Sequence, residues 1–219
     1  MSKNSQKPTI VKYDFANPVI PISKKKIPAL DFIHQLFITH LKSELPEQIA
    51  TQVTFLKGEQ QRVTRFRSWI NDISQPVVIS VIDSNVGGRM AMISDSVFNF
   101  EMMGSMLGSS DKKINEISSD KFQAPTKLEH TLFLKIHQNL IKPLTSSWRR
   151  AYPLQLKVLK IETNPKLLTL LEPSSVIIIS TLKFKMHNGK DGHFSLLYPY
   201  QLLERPEVLA GLKQLSESL

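Results

Sequence analysis

The chain carries six histidines, the side chains best suited to bind a metal or to transfer protons near neutral pH. They are His34, His40, His130, His137, His187 and His193. Two ligands on one helix face need i, i+4 spacing, and neither the first nor the second pair along the chain has it. The last pair flanks a predicted hairpin, but no third ligand lies nearby in the sequence. We therefore predict no metal site and no cofactor, and histidines that are exposed or lie at the edge of the core.

Patterns for nucleophilic catalysis and phosphate binding are also missing from the sequence. Val86-Gly87-Gly88 lacks the Lys-Ser/Thr of a phosphate loop and is typical of a hairpin turn. There is no Gly-x-Ser-x-Gly elbow, and Ser195 falls in a predicted strand, where a packed side chain is favoured over a nucleophile. The chain has no cysteine, which excludes disulfides and thiolate chemistry. We predict that the chain is not an enzyme and has no catalytic residues.

Length and charge narrow the class of protein. The 219 residues suffice for one large domain or two small ones, and no apolar run is long enough to span a membrane. The first ten residues lack the apolar core of a signal peptide, and the lack of cysteine fits a reducing compartment. A net charge of +9 suits nucleic acid, an anionic membrane or an acidic protein as partner. Because the basic residues are spread out, with Lys24–Lys26 as the only run, a solvated basic surface is favoured.

Two clusters have both a functional and a structural interpretation. Trp148-Arg149-Arg150 suits nucleic-acid stacking, but a helix end whose cations complement the dipole is favoured, so we predict no nucleic-acid partner. A methionine run suits either an adaptable binding face or core filling, and we favour the core. Its members are Met90, Met92, Met102, Met103 and Met106.

The first part of the chain divides into an arm and one helix–strand unit. Residues 1–27 are rich in Pro and Lys and predict an extended or partly disordered N-terminal arm. From Pro28 a helix is predicted, with an apolar face, ending near Pro46. After it we predict a strand over 51–57, a loop plus a short helix over 58–72, two strands over 77–83 and 90–93 joined by a hairpin, and a closing helix over 97–107.

The second part repeats this order after a polar connector over 108–124. Thr126 and Glu129 have capping-box spacing and open a long helix ending near Trp148. Its predicted buried stripe is Leu128, Leu132, Ile136, Leu140, Leu144 and Trp148. Strands are predicted over 156–161, 175–186 and 194–198, followed by a helix that is broken near Pro206.

The repeat predicts an α/β (α+β) fold built by duplication. Each half, 28–107 and 125–215, is a helix-β-β-β-helix unit, and together they form a pseudo-twofold domain over 28–219. Its helices pack on a mostly antiparallel sheet. Neither half has enough strands to be stable alone.

Several segments of the chain also carry a family resemblance. FSLLYPYQLLE at 194–204 and WRRAYPLQLKV at 148–158 resemble parts of the middle domain of the flagellar motor switch protein FliM, which is related to CheC-type chemotaxis phosphatases. Tyr13-Asp14-Phe15, the helix start at Pro28 with Phe37 and His40, and Thr126–Glu129 fall where that family has similar features. The resemblance covers about 13–215 and depends on the order and spacing of these segments together.

The resemblance implies a non-enzymatic scaffold subunit of the switch complex, the C-ring at the flagellar basal body. Such a subunit is cytoplasmic, meets the inner membrane only through the basal body, associates with its own copies in a ring, and serves motility, torque and rotation switching. It also implies binding to a FliG-like partner. The family's Gly-Gly-x-Gly loop falls here on Gly-Ser-Ser-Asp. The partner-binding residues we predict are Met106, Leu107, Gly108, Ser109, Ser110 and Asp111.

The sequence is also compatible with other partners and functions. The family's CheY-binding peptide has no counterpart before Tyr13, and its FliN-like domain would begin after Leu219, so a separate FliN-like protein is a possible partner. A CheC-like phosphatase would need Asp/Ser-x3-Glu-x2-Asn, and here Ile136 stands where a Glu should precede Asn139. The same fold would also suit a ring component of a type III secretion apparatus, because fold does not fix function. Nucleic-acid or membrane binding would show affinity that falls steeply with salt.

Overall fold

The computed structural model describes residues 27–44, 53–56, 60–73, 77–108, 125–186, 189 and 191–219. The predicted arm before residue 27 and most of the predicted connector therefore lie outside the described residues. The helices and strands, in chain order, are α1 (Pro28–Glu44), β1 (Val53–Phe55), β2 (Gln60–Arg65), α2 (Phe66–Asp72), β3 (Val77–Ser84), β4 (Arg89–Asp95), α3 (Ser96–Met106), α4 (Lys127–Trp148), β5 (Leu156–Glu162), a 3₁₀ turn (Pro165–Leu167), β6 (Val176–Met186), β7 (Asp191–Pro199), α5 (Tyr200–Leu203) and α6 (Pro206–Glu217).

The strands form one antiparallel sheet in the order β1/β2, β6, β7, β4, β3, β5. The two hairpins, β3–β4 and β6–β7, meet at the centre, where Ala91 pairs with Leu197 and Ser94 with Phe194. The first strands of each half cross over, because β1 and β2 pair with β6, and β5 pairs with β3. The order is therefore symmetric about the β4–β7 contact. Each half completes the sheet of the other, which supports treating them as one folding unit.

The two faces of the sheet are covered unequally. One face carries α1 and α4, which lie side by side, together with α3, α5 and α6, over a large core that includes Phe37, Trp148 and Tyr198. Of the described residues, α2 and the 3₁₀ segment cover the other face, over a smaller core around Trp69. Burial of two apolar faces gives the sheet most of its stabilisation.

Among the helices and strands, the structure departs from the sequence predictions at β2 and at one position of α4. The segment 60–65 was expected to be a loop but forms β2, an edge strand; its polar residues fit an edge that leaves one side half-exposed. In α4 four of the six predicted stripe residues are buried, Leu132 is half-buried, and only Leu128 departs from the prediction, being 66% exposed; Phe133, His137 and Ile141 widen the buried face. The capping box that opens α4 is confirmed: the Glu129 amide donates to Thr126 Oγ1 and the Thr126 amide to Glu129 Oε2.

Candidate partner-binding site

The predicted partner loop follows α3, and the start of that helix is held from two sides. Asp95 is the N-cap, and its Oδ1 accepts from the backbone N of Phe98 at 2.7 Å. Its Oδ2 accepts from the backbone N of His193 at 2.8 Å, which ties α3 to the central strand β7. A single carboxylate thus fixes where α3 begins relative to the sheet.

Aromatic packing holds the body of α3. The Phe98 ring meets Phe184 and Phe194 edge-on, with centroids 5.3 and 4.5 Å apart. Phe100 meets Phe133 of α4 in a T-shaped contact at 5.4 Å. Such aromatic pairs add to the stabilisation from burial alone, so the direction of α3 is set by both the sheet and α4.

A buried polar cluster also joins α3 to α4 and the sheet. His137 of α4 is fully buried, with Nδ1 2.8 Å from Ser80 Oγ of β3. Its Nε2 lies 3.0 Å from Ser94 Oγ of β4 and 3.1 Å from Asn99 Oδ1 of α3. One imidazole therefore connects two helices and two central strands. The sequence predicted a histidine that is exposed or at the core edge, and for His34 and His137 this is wrong, since both are fully buried.

The hydrogen bonds of Asn99 assign the tautomer of His137. Asn99 Nδ2 donates to the backbone O of Asp95 at 2.8 Å and to Ser94 Oγ at 2.6 Å, which leaves Oδ1 as an acceptor facing the ring. His137 Nε2 therefore carries the proton, and Nδ1 accepts from the Ser80 hydroxyl. Both ring nitrogens are satisfied in the neutral form, and burial lowers the pKa of His137 from 6.5 to about 3.

The end of α3 presents apolar side chains to solvent. Met106 is 42% exposed and Leu107 is 64% exposed. The amide of Leu107 donates to the O atoms of Met103 and Gly104, and that of Gly108 to Ser105 O, so the last turn is closed. Gly108 has φ +72°, the left-handed conformation that ends many helices and that favours glycine. The closed end of α3 thus offers two adjacent, exposed apolar side chains next to a glycine in the left-handed conformation.

The structure places three of the six predicted partner-binding residues together and leaves three outside its range. Met106, Leu107 and Gly108 are contiguous at the end of α3, whereas Ser109, Ser110 and Asp111 lie outside the described residues. Of the methionine run, Met90, Met92 and Met102 are buried and Met103 is half-buried against the core, as predicted, whereas Met106 is exposed. The polar cluster around His137 was missed, because no local spacing links its members.

The other residues that the sequence singled out, among them further histidines and the Trp148 cluster, make contacts that stabilise the fold. His34 Nε2 lies 2.8 Å from Tyr198 Oη, and His40 Nδ1 lies 3.1 Å from Ser147 Oγ between α1 and α4. Trp148 is fully buried, and Arg149 and Arg150 are exposed at the helix end. Within the described ranges, no three acidic or histidine side chains come close enough to hold a metal ion. No helix in the same ranges is long and apolar enough to cross a bilayer.

Comparison with known proteins identifies the relatives of this chain. A family model described as "Flagellar motor switch protein FliM" matches residues 23–213. The flagellar motor switch protein FliM of Treponema pallidum (strain Nichols) is 22% identical over 196 residues, covering 89% of this chain and 55% of that protein. The chain spans about half the length of the curated relatives it matches.

Solved structures show the same fold. The FliM middle domain from H. pylori is similar with a TM-score of 0.69 and 14% identity, covering 87% of this chain and 99% of that one. A chain of the FliG-FliM complex from H. pylori is similar with a TM-score of 0.68 and 15% identity, covering 81% of this chain and 94% of that one. The helices over an antiparallel sheet described above are therefore the architecture of the FliM middle domain.

Proposed function

Because the chain belongs to the FliM family of flagellar motor switch proteins, we propose that it is a scaffold subunit of the switch complex that binds a FliG-like protein through the end of α3. The observation that carries this proposal is the adjacent exposure of Met106 and Leu107 on a helix anchored at its start by Asp95. The FliG-FliM complex with a similar fold supports the class of partner. The predicted site extends through Gly108 to Ser109, Ser110 and Asp111.

The exposed apolar pair suits protein recognition better than catalysis. Apolar side chains at the centre of an interface bind when they are desolvated against a complementary pocket. Because α3 is held by a cap, by aromatic contacts and by the His137 cluster, little conformational freedom is lost when a partner binds at its end. A pre-organised helix end is the feature that a scaffold needs.

Association with further copies in a ring at the flagellar motor is the second part of the proposal. We propose the side-by-side helices α1 and α4 as the contact elements. Their outward sides carry exposed polar residues such as Gln35, Lys135 and Lys142. This composition fits a modest, reversible contact of the kind seen between domains. Analytical ultracentrifugation over a range of concentrations tests it, and a strictly monomeric chain at high concentration argues against it.

A purified FliG-like protein from the same organism tests partner binding. Leu107→Asp should weaken the complex at least tenfold, because a carboxylate would have to be desolvated in the interface. Leu167→Asp is the matched control, since Leu167 is exposed to nearly the same degree, 61% against 64%, but lies in the 3₁₀ segment over the other face of the sheet. Equal affinities for the two variants would contradict the proposed site.

The same measurement at low and high salt separates this function from nucleic-acid or membrane binding. An apolar contact predicts a small change in affinity with salt, whereas contacts to phosphates predict a steep loss.

We also propose that the chain is not a phosphatase. Ile136 is buried and Asn139 is exposed on α4, with no Glu in the position the CheC-like pattern requires. Hydrolysis of a phosphorylated response regulator by the pure protein would overturn that.

A further inference from the structure

An apolar groove lies between the first residue described, Ile27, and the two C-terminal helices. Its volume is about 280 Å³, and its walls include Tyr200 and Leu203 of α5 and Leu209 and Leu212 of α6. Apolar concave surfaces of this kind bind chain segments or ligands that remove them from water. The groove lies away from the end of α3 in the chain and is not used by the proposed partner site.

The chain enters the folded body at the wall of this groove, and its entry point is fixed. The backbone N of Ile27 donates to Gln61 Oε1 at 3.0 Å, and Gln61 Nε2 donates to the backbone O of Ile27 at 3.1 Å. Gln61 Nε2 also donates to Asp31 Oδ1 at 2.6 Å, which holds the amide in place. The residues before Ile27 therefore start beside the groove.

The sequence just before this point matches the groove in polarity and charge. Pro18-Val19-Ile20-Pro21-Ile22 is wholly apolar, and its two prolines have no backbone N–H that an apolar groove would leave unpaired. The stretch that follows contains Lys24–Lys26. The groove is lined by two acidic side chains, Glu204 and Glu217, and by one basic side chain, Lys213, so acidic groups are in excess. Opposite charges at the rim favour this pairing over one in which the basic run faces open solvent.

The length of the connecting stretch also fits. Five residue steps separate Ile22 from Ile27, so the chain can span at most about 18 Å between them. The wall of α6 from Leu209 to Ser216 is about 10 Å long at 1.5 Å per residue. We propose that the segment 18–22 of the same chain folds back and occupies the groove between Ile27, α5 and α6.

Engineered disulfides test this directly, because the chain has no cysteine of its own. In the full chain, Leu209→Cys is combined in turn with Val19→Cys, Ile20→Cys and Ile22→Cys, so that alternate side chains of the segment are sampled. Mild oxidation at low protein concentration, followed by non-reducing electrophoresis and mass measurement, should give an intrachain bond in at least one pair. That bond should form at least tenfold faster than in control pairs with Leu159→Cys. Leu159 is an exposed residue of the edge strand β5 and does not line the groove.

The possible results of the disulfide experiment lead to different conclusions. A fast intrachain bond that slows severalfold when Lys24–Lys26 are changed to Glu supports the proposal. Bonds formed only between two chains would show that a second copy occupies the groove and would overturn it. Rates equal to those of the Leu159→Cys controls would also overturn it. The test does not involve the FliG-like protein, so its result is independent of the proposed function.

Discussion

Nδ1 of His137 in α4 lies 2.8 Å from Oγ of Ser80 in β3, and neither side chain is exposed to solvent. The pair joins the longest helix to a central strand, and through Nε2 the same ring reaches the start of α3. Buried hydrogen bonds of this kind favour one arrangement of the elements, because any other leaves polar groups unpaired. The orientation of α3, and hence of Met106 and Leu107 at its end, depends on a neutral histidine.

The buried histidine predicts an acid-sensitive fold. Because burial lowers the pKa of His137 to about 3 from 6.5, the unfolded chain binds more protons than the folded chain between these pH values. The free energy of unfolding therefore falls as the pH is lowered through this window, by up to about 1.4 kcal/mol per pH unit. We expect a loss of about 2 kcal/mol between pH 7 and pH 5 from this group, measured by urea unfolding at half-unit steps.

Substitution of His137 isolates its contribution to that slope. His137→Gln should flatten the dependence between pH 6.5 and pH 5, whatever its effect on stability at pH 7, because glutamine does not titrate. Ile136→Val is the control, since it removes a buried methyl group from the same helix and keeps the histidine, and it should retain the wild-type slope. If His137→Gln keeps the full slope, the assignment of this acid sensitivity to the cluster is wrong.

Two fully buried serines on the same sheet predict opposite effects of one substitution. Ser80 donates to His137, whereas Ser180 Oγ has no hydrogen-bond partner among the described residues. Ser80→Ala should lower the free energy of unfolding by about 1–3 kcal/mol, because it leaves a buried imidazole nitrogen unpaired. Ser180→Ala should be neutral or slightly stabilising, because it removes an unpaired hydroxyl. Urea unfolding at pH 7 compares the two variants, and equal losses would contradict the hydrogen-bond assignment.

The close approach of α6 to the turn after α4 predicts a costly Gly211→Ala substitution. In most helix interiors this change stabilises by about 1 kcal/mol. Here the added Cβ would overlap the backbone carbonyl of Ala151, which cannot move aside as a side chain would. We expect a net loss of at least about 1 kcal/mol and a lower Tm in thermal unfolding. Gln214→Ala, at an exposed position of the same helix, should change stability by less than about 0.5 kcal/mol. A stabilised Gly211→Ala variant would contradict this packing.

Features that depend on neighbours along the chain were predictable from the sequence. The capping box of Thr126 and Glu129, the stop at Pro199 and the start of α3 after Asp95 each involve residues within one helical turn. The repeated order of elements predicted the α+β architecture, and the resemblance indicated the family. Local rules sufficed because the interacting groups are close in sequence whatever the rest of the chain does.

What the sequence alone could not determine involves contacts between distant segments. The pairing of Arg62 with Ile179 turns a polar stretch into β2, and its partner strand lies more than a hundred residues away. His137 is a second example, because its role is set by hydrogen bonds to Ser80, Ser94 and Asn99. No spacing rule in the sequence connects these residues to it. By itself, the sequence determined the helices, most strands and their repetition. Only the tertiary structure decided how the halves interlock, how far the buried face of α4 extends beyond the predicted stripe and which contacts hold α3, because those properties arise from packing across the sheet rather than from any local run of residues.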